Sequence, residues 1–332
     1  MSEYSRSVIL YGSACCQELR DEMSRSLKDK FDLDNDLLLT NFSDGEYKSK
    51  IEENIRGRNV YIVQPTSMPT DNLFKLLMSI DAAKRSSAKE VNAVIPYFGF
   101  ARQDQKLESR ESITAQLVAK FIETSGATRA ICLDLHAGQI QGFFPNIPCD
   151  NLTARPIFAK KIKEMFPREE MGNICFVAPD VGEAKNVLKM SKMFQKPLVI
   201  CSKERDPINP DIINGVTVIG DVKDKHCVII DDLTSTMSTV ISVAKQLKKV
   251  DAKSISFFCT HFACSPETVE KIKKPVREIG FERLVITNSH PNSKLSYQLG
   301  FEVINLGNFF AEVVSRVEEN RSLSELFEIN NF

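Results

Sequence analysis

No apolar stretch of this chain is long enough to span a bilayer: the longest, 93–101, falls far short of the ~20 residues a transmembrane helix needs. Neither sign of charge is in surplus, with 43 Lys+Arg against 44 Asp+Glu. No long basic block exists either, which excludes the clustered Lys/Arg surface of a nucleic-acid binder. The polar opening Met1-Ser2-Glu3-Tyr4-Ser5-Arg6 lacks the apolar core of a secretion signal, so the expectation is a soluble, cytoplasmic protein. Histidine is scarce, at four, and there is no HExxH or His-rich cluster to hold a metal. Nine cysteines are scattered, at 15, 16, 132, 149, 175, 201, 227, 259 and 264, with no CxxC pair. Most lie in or beside apolar runs, and their number is odd. That pattern points to reduced thiols packed as small hydrophobes, not to a disulfide frame.

Short apolar runs of strand length, at 60–63, 91–96, 130–133, 174–177, 198–201, 227–230, 255–260, 284–287 and 303–306, alternate with amphipathic stretches. The latter predict helices over 71–85, 113–125, 236–250 and 266–274. Such alternation predicts an α/β fold of parallel βαβ units. The layout after Val60 (strand, polar turn, helix to Arg85, then Ala88-Lys89-Glu90-Val91) repeats after Val228, with a helix to Val250 and then Ala252-Lys253-Ser254-Ile255. At 332 residues two such domains fit. The expected boundaries are 1–153, 154–310 and a C-terminal helix and tail at 311–332. The segment 203–216, with Pro207, Pro210 and Gly215, reads as a long exposed loop, the kind that often serves as a lid.

One stretch carries the chemistry. Val228-Ile229-Ile230 ends in Asp231-Asp232, and five of the next seven residues bear hydroxyls before a helical pattern begins at Val240. Carboxylates at the C-terminal end of a buried strand stand where open α/β sheets bind ligands. A hydroxyl-rich turn into a helix N-terminus favours an anion such as phosphate. The pair could thus hold sugar hydroxyls or Mg²⁺ while the turn holds a phosphate; the plain alternative is that the two acids only end a strand and cap a helix.

Further motifs appear in order: Asn41-Phe42-Ser43-Asp44-Gly45-Glu46, Asn54-Ile55-Arg56-Gly57, Tyr97-Phe98-Gly99-Phe100-Ala101-Arg102-Gln103-Asp104, Asp134-Leu135-His136-Ala137-Gly138-Gln139, Pro179-Asp180-Val181-Gly182 and Lys203-Glu204-Arg205. With the Asp231-Asp232 loop they make the chain, over roughly 8–327, resemble the ribose-phosphate pyrophosphokinases (phosphoribosyl pyrophosphate synthetases) of the phosphate-activated class. The resemblance implies two phosphoribosyltransferase-like domains, each a mostly parallel sheet flanked by helices. The activity it implies is transfer of the diphosphoryl group of Mg-ATP to the anomeric hydroxyl of ribose 5-phosphate, giving AMP and 5-phosphoribosyl 1-diphosphate. It further implies Mg²⁺, activation by inorganic phosphate, and a homo-oligomer of dimers assembling to a hexamer, with no nucleic-acid or membrane partner.

Carried over residue by residue, the resemblance implies that Lys203, Arg205 and His136 are catalytic. Phe42, Asp44, Glu46, Arg102, Gln103, Lys106 and His136 would bind ATP. Asp231, Asp232, Ser235, Thr236, Met237, Ser238 and Thr239 would bind ribose 5-phosphate. His136 and Asp180 would hold the metal, and Arg56, Arg110, Ser322 and Ser324 would line an allosteric phosphate/ADP site. Arg forks and Lys point charges suit phosphates, and a basic pair on a closing loop suits a transition state that spreads negative charge.

The chain also departs from the family's pattern. Ser235 replaces an acid and Ser238 a glycine, and Glu183 replaces the second glycine after Pro179-Asp180. Asn186 replaces an arginine, Gln105 and Glu108 lower the positive charge of the ATP loop, and Ser112 replaces a proline. If Ser238 needs a positive φ, it costs ~1 kcal/mol or more. These changes predict weaker phosphate binding than in a typical member. A second reading is a catalytically silent subunit that regulates an active partner, but retention of Lys203, Arg205, His136, Asp180, Asp231 and Asp232 favours activity.

Overall fold

The computed structural model describes residues 6–36, 38–167, 169–205 and 213–327, and the chain divides into two units. The first comprises residues up to 153 with 289–291 and 305–323; the second comprises 154–288, 292–304 and the residues from 324.

In the first unit, β1 (Val8–Tyr11), α1 (Gln17–Leu27) and β2 (Asp32–Asp36) are followed by a hairpin of β3 (Leu38–Asn41) and β4 (Tyr47–Lys50). Then come β5 (Asn59–Val63), α2 (Asp71–Arg85), β6 (Glu90–Ile95), α3 (Thr114–Thr124), β7 (Arg129–Leu133) and β8 (Cys149–Leu152). Six strands form one parallel sheet in the order β2-β1-β5-β6-β7-β8. Val60, Tyr61, Ile62 and Val63 are all buried. A continuous apolar run, rather than alternation, is what a sheet covered on both faces requires.

The second unit opens with α4 (Arg155–Met165), β9 (Ile174–Ala178), α5 (Ala184–Phe194), β10 (Leu198–Arg205) and β11 (Ile213–Ile219). It continues with β12 (His226–Thr234), α6 (Ser238–Lys249), β13 (Ser254–Phe262), α7 (Pro266–Ile279), β14 (Arg283–Thr287) and β15 (Glu302–Ile304). Its sheet runs β11-β10-β9-β12-β13-β14-β15, parallel except for the antiparallel edge strand β11. Leaving β11 aside, the strand order matches the first sheet: β9 corresponds to β1, β10 to β2, β12 to β5, and so on to β15 and β8. The repeat read between Val60 and Val228 is therefore one topology used twice.

The structure differs from the sequence expectations at three places. The 266–274 helix runs on to Ile279 through Pro275. Proline inside a helix costs ~3 kcal/mol, but Val269, Ile272, Val276 and Ile279 make one buried row and Ser265 caps the start, accepting from the Thr268 N–H at 3.2 Å. The segment 203–216 is not loop throughout, because β10 and β11 pair from Ile200 with Ile219 to Arg205 with Ile213. The C-terminal helix begins at Gly307, not 311: α8 (Gly307–Glu318) falls with the first unit, and only the residues from 324 return to the second. The cause is packing against α1. A Cβ on Gly307 would stand 2.5 Å from the Glu22 Cβ and 2.7 Å from the Leu19 carbonyl, so glycine alone allows the approach. At the far end of α8, the Glu318 carboxylate accepts from Ser7 Oγ at 2.7 Å and Tyr61 Oη at 2.8 Å, and from Asn59 Nδ2 at 3.2 Å.

No described helix is long and apolar enough to cross a membrane.

Candidate active site

The acids gather at the C-terminal ends of two neighbouring strands of the second sheet. β12 carries Asp231 and Asp232 while still paired to β13, with Asp231 opposite Cys259. β9 ends at Ala178, and the chain turns through Pro179 and Asp180 into α5. One oxygen of Asp180 accepts the Glu183 N–H at 3.1 Å, which shapes this turn. Glu183 is 8% exposed, and its carboxylate accepts from Asn186 Nδ2 at 3.2 Å. Carboxylate oxygens of Glu183, Asp231 and Asp232 lie within 4.8 Å of one another, the only such trio of acidic, His or Cys residues among the described residues. Burial pushes the Asp231 carboxyl well above the usual range, and the neighbouring charges of Asp232, Glu183 and Asp180 add to it. Oxygen donors concentrated in this way fit a hard divalent cation such as Mg²⁺. Glu183, noted in the sequence only as an extra acid, is thus a neighbour of the acid pair; no spacing rule links positions 183 and 231.

Past the acids, the turn into α6 is built around Met237. This residue has φ +55° and ψ 5°, and its side chain is 1% exposed in the core. Its N–H donates to Thr234 Oγ1 at 3.2 Å, and its carbonyl accepts the Ile241 N–H at 2.9 Å. Anchoring Met237 inward leaves Thr236 and Ser238 exposed, their hydroxyls 2.9 Å apart. Ser235 and Thr239 are half-buried. Strain expected at Ser238 therefore falls on Met237: the left-handed residue precedes the helix, and Ser238 is already its first member.

Lys203 and Arg205 belong to β10, paired with Val216 and Ile213 of β11, but their side chains lie outside the described residues.

In the first unit, the chain leaves β7 through Asp134, at φ +37°, and Leu135, whose N–H donates to Asn151 Oδ1 at 3.0 Å; His136 then stands exposed. Arg102, Gln103 and Lys106 are exposed on the loop after β6. The two loops meet where Gln139 Nε2 donates to the buried Asp104 carboxylate at 2.6 Å. Gln103 is tied to the start of α3, accepting from Thr114 Oγ1 at 2.6 Å. Asp104, Gln139 and Asn151 are positioning residues that sequence reasoning did not single out, although the first two lie inside the quoted motifs.

Phe42, Asp44 and Glu46 are exposed at the tip of the β3–β4 hairpin, where Gly45 takes φ +93° and Asp44 accepts the Glu46 N–H at 3.1 Å. The hairpin rests on α2 through Tyr47 Oη to the Asp71 carbonyl and Ser49 Oγ to Ser79 Oγ. Arg56 lies before β5, at the N-terminal edge of the sheet, and reaches Ser87 Oγ at 3.2 Å. Arg110, at φ +70°, is on the C-terminal loop after β6. The Ser322 carbonyl accepts from Arg316, whereas Ser324 opens a 3₁₀ turn of the second unit.

Two α/β units of one topology, the second with acids near a strand end running into a hydroxyl turn and a helix N-terminus, define a class of α/β protein suited to phosphorylated ligands. Comparison with known proteins specifies the family. Residues 8–126 match the N-terminal domain of ribose phosphate pyrophosphokinase, and residues 184–328 match the phosphoribosyl synthetase-associated domain. Ribose-phosphate pyrophosphokinase 2 of Enterococcus faecalis is 41% identical over 294 residues, 88% of each chain. The Bacillus subtilis ribose-phosphate pyrophosphokinase is 40% identical over 290 residues, 87% of this chain and 88% of its own. The crystal structure of the phosphoribosylpyrophosphate synthetase of Mycobacterium smegmatis superimposes with a TM-score of 0.84 at 29% identity, covering 95% of this chain and all of that one. The chain belongs to the ribose-phosphate pyrophosphokinase family.

Proposed function

We propose that this chain transfers the β,γ-diphosphoryl group of Mg-ATP to the anomeric hydroxyl of ribose 5-phosphate, releasing AMP and 5-phosphoribosyl 1-diphosphate in the cytoplasm. The observation that carries the reading is the Asp231–Thr239 segment: two carboxylates on a strand end, followed by a turn whose buried Met237 aims the hydroxyls and the α6 N-terminus outward. Asp231 and Asp232 hold the ribose hydroxyls, and Ser235, Thr236, Ser238 and Thr239 with the backbone at Met237 hold the 5-phosphate. Phe42 stacks on the adenine and Asp44 and Glu46 accept from its amino group. Arg102, Gln103 and Lys106 bind the polyphosphate. His136 and Asp180 would hold the metal, which would supply charge neutralisation at the phosphates. Lys203 and Arg205 stabilise the charge that spreads over the transferring group. Arg56, Arg110, Ser322 and Ser324 are assigned to phosphate activation and ADP inhibition in a homo-oligomer, a hexamer built from dimers.

The test is AMP release by the purified full chain from Mg-ATP in phosphate buffer, with and without ribose 5-phosphate. Ribose-dependent AMP formation, reduced about a hundredfold in Asp232→Asn, supports the reading. Failure to form AMP at saturating substrates overturns it.

A further inference from the structure

Nothing in the proposed chemistry uses the thiols of the second sheet, yet two of them are in contact. Cys175 is the second residue of β9 and Cys227 the second of β12; the strands are parallel neighbours, and the two cysteines are register partners. Both side chains point to the same buried layer, which also contains Val177, Val199, Cys201 and Ile229. Their Sγ atoms are 3.5 Å apart. Register partners on neighbouring strands have Cα atoms ~4.8 Å apart, inside the 4.4–6.8 Å window a disulfide requires.

We propose that Cys175 and Cys227 are an oxidative modification site: peroxide converts them to a disulfide that staples β9 to β12 beneath the acids those strands carry.

The chemistry balances with a hydroperoxide as oxidant. The Cys175 thiolate attacks one peroxide oxygen, the O–O bond breaks, and one water leaves with the protons taken up, giving a sulfenic acid. The Cys227 sulfur then attacks the sulfenic sulfur; the S–O bond breaks, a second water leaves and the S–S bond forms. Two thiols lose two electrons to one peroxide. The order follows from the contact. A hydrogen bond from Cys227 holds the Cys175 thiol below its ordinary value despite burial, with the Lys225 charge acting in the same direction, while Cys227 is held up. The thiolate is the nucleophile.

Burial protects both groups, at 0% and 1% exposure, so oxidation waits on local opening. Each cysteine lies one residue inside its strand, and Cys227 follows a turn in which Asp221, Lys223 and Asp224 are exposed. A metal reading is disfavoured, because these thiols form no three-donor cluster among the described residues.

Peptide mapping of the full-length protein after hydrogen peroxide treatment tests the proposal. Trypsin releases Cys175 on 169–185 and Cys227 on 226–245, each as the sole cysteine. The expected product is the cross-linked pair of these peptides, two hydrogens lighter than their sum. Dithiothreitol should abolish it, as should either Cys175→Ala or Cys227→Ala. Closing the 52-residue span should also raise the urea midpoint of the oxidised protein, and the rise should be absent in both variants. Recovery of both peptides as reduced thiols, while other cysteines are oxidised, would overturn the proposal. So would pairing of either cysteine with Cys201, which travels on its own peptide, 193–203. A lower midpoint with the cross-link formed would reject the staple.

Discussion

Replacing Met237 by glycine should leave the protein more stable than replacing it by alanine, the reverse of the usual order. Either change deletes a side chain that is 1% exposed in the core, a loss of about 2–5 kcal/mol at a buried Met. Alanine keeps a Cβ in the left-handed region, at φ +55°, where an L-residue is disfavoured by about 1–2 kcal/mol. Glycine removes that penalty and gives back about 0.5–1 kcal/mol through the greater freedom of the unfolded chain. The net advantage of Met237→Gly over Met237→Ala is therefore about 0.5–1 kcal/mol. Ser238 supplies the control: as the first residue of α6 with an ordinary backbone, it should lose up to about 1 kcal/mol as Ser238→Gly. Urea unfolding followed by circular dichroism reads both effects. With m near ~2 kcal/mol/M, the Met237 pair should separate by about 0.25–0.5 M in midpoint at constant m. An alanine variant more stable than the glycine variant, or a stabilising Ser238→Gly, would refute the placement of the strained residue.

Asp231 gives a pH dependence whose sign is fixed. Its folded carboxyl is raised, so between its unfolded value near ~3.9 and its folded value the native state holds more protons, and its charge costs stability as pH rises through that window. Metal-free Asp231→Asn should accordingly be more stable than the parent protein at pH 8, with the difference vanishing towards pH ~4; thermal melts showing the opposite slope would reject this. Glu183→Gln removes one of three clustered carboxylates and should weaken Mg²⁺ binding about tenfold by calorimetry in the absence of substrates; unchanged affinity would separate Glu183 from the metal. Glu318→Ala leaves Ser7, Tyr61 and Asn59 without their shared acceptor, at a cost of about 3 kcal/mol. It should also lower the Tyr61 hydroxyl, which is raised first by burial and then by Glu318, as read by ultraviolet pH titration.

The sequence by itself determined the class of fold. Both faces of each parallel sheet are covered, so the strands had to be uninterrupted apolar runs, and runs such as 60–63 and 227–230 are visible without any partner. It also placed Asp231 and Asp232 near the end of a strand and Ser235 and Thr236 in the turn that follows, because all these lie within a few residues and local order suffices. The opening strand Val8–Tyr11 and helices α1, α4 and α5 were not read from the pattern, and the C-terminal helix α8 was expected only from 311.

What only the tertiary structure decided depends on residues far apart in the chain. Glu183 became a neighbour of Asp231 because β9 and β12 pair. The same pairing set Cys175 against Cys227, 52 positions away. Pro275 stayed inside α7 because a buried apolar row outweighed a local breaker. The backbone strain moved from Ser238 to Met237 because the core accepts a methionine side chain there and the turn needs one left-handed residue before the helix. Finally, α8 crossed to the first unit because Gly307 fits against α1 and the Glu318 carboxylate satisfies three donors of the first unit. Local patterns carry periodicity and turn chemistry, whereas the partner of a buried charge, thiol or glycine is set only when distant strands and helices come into contact.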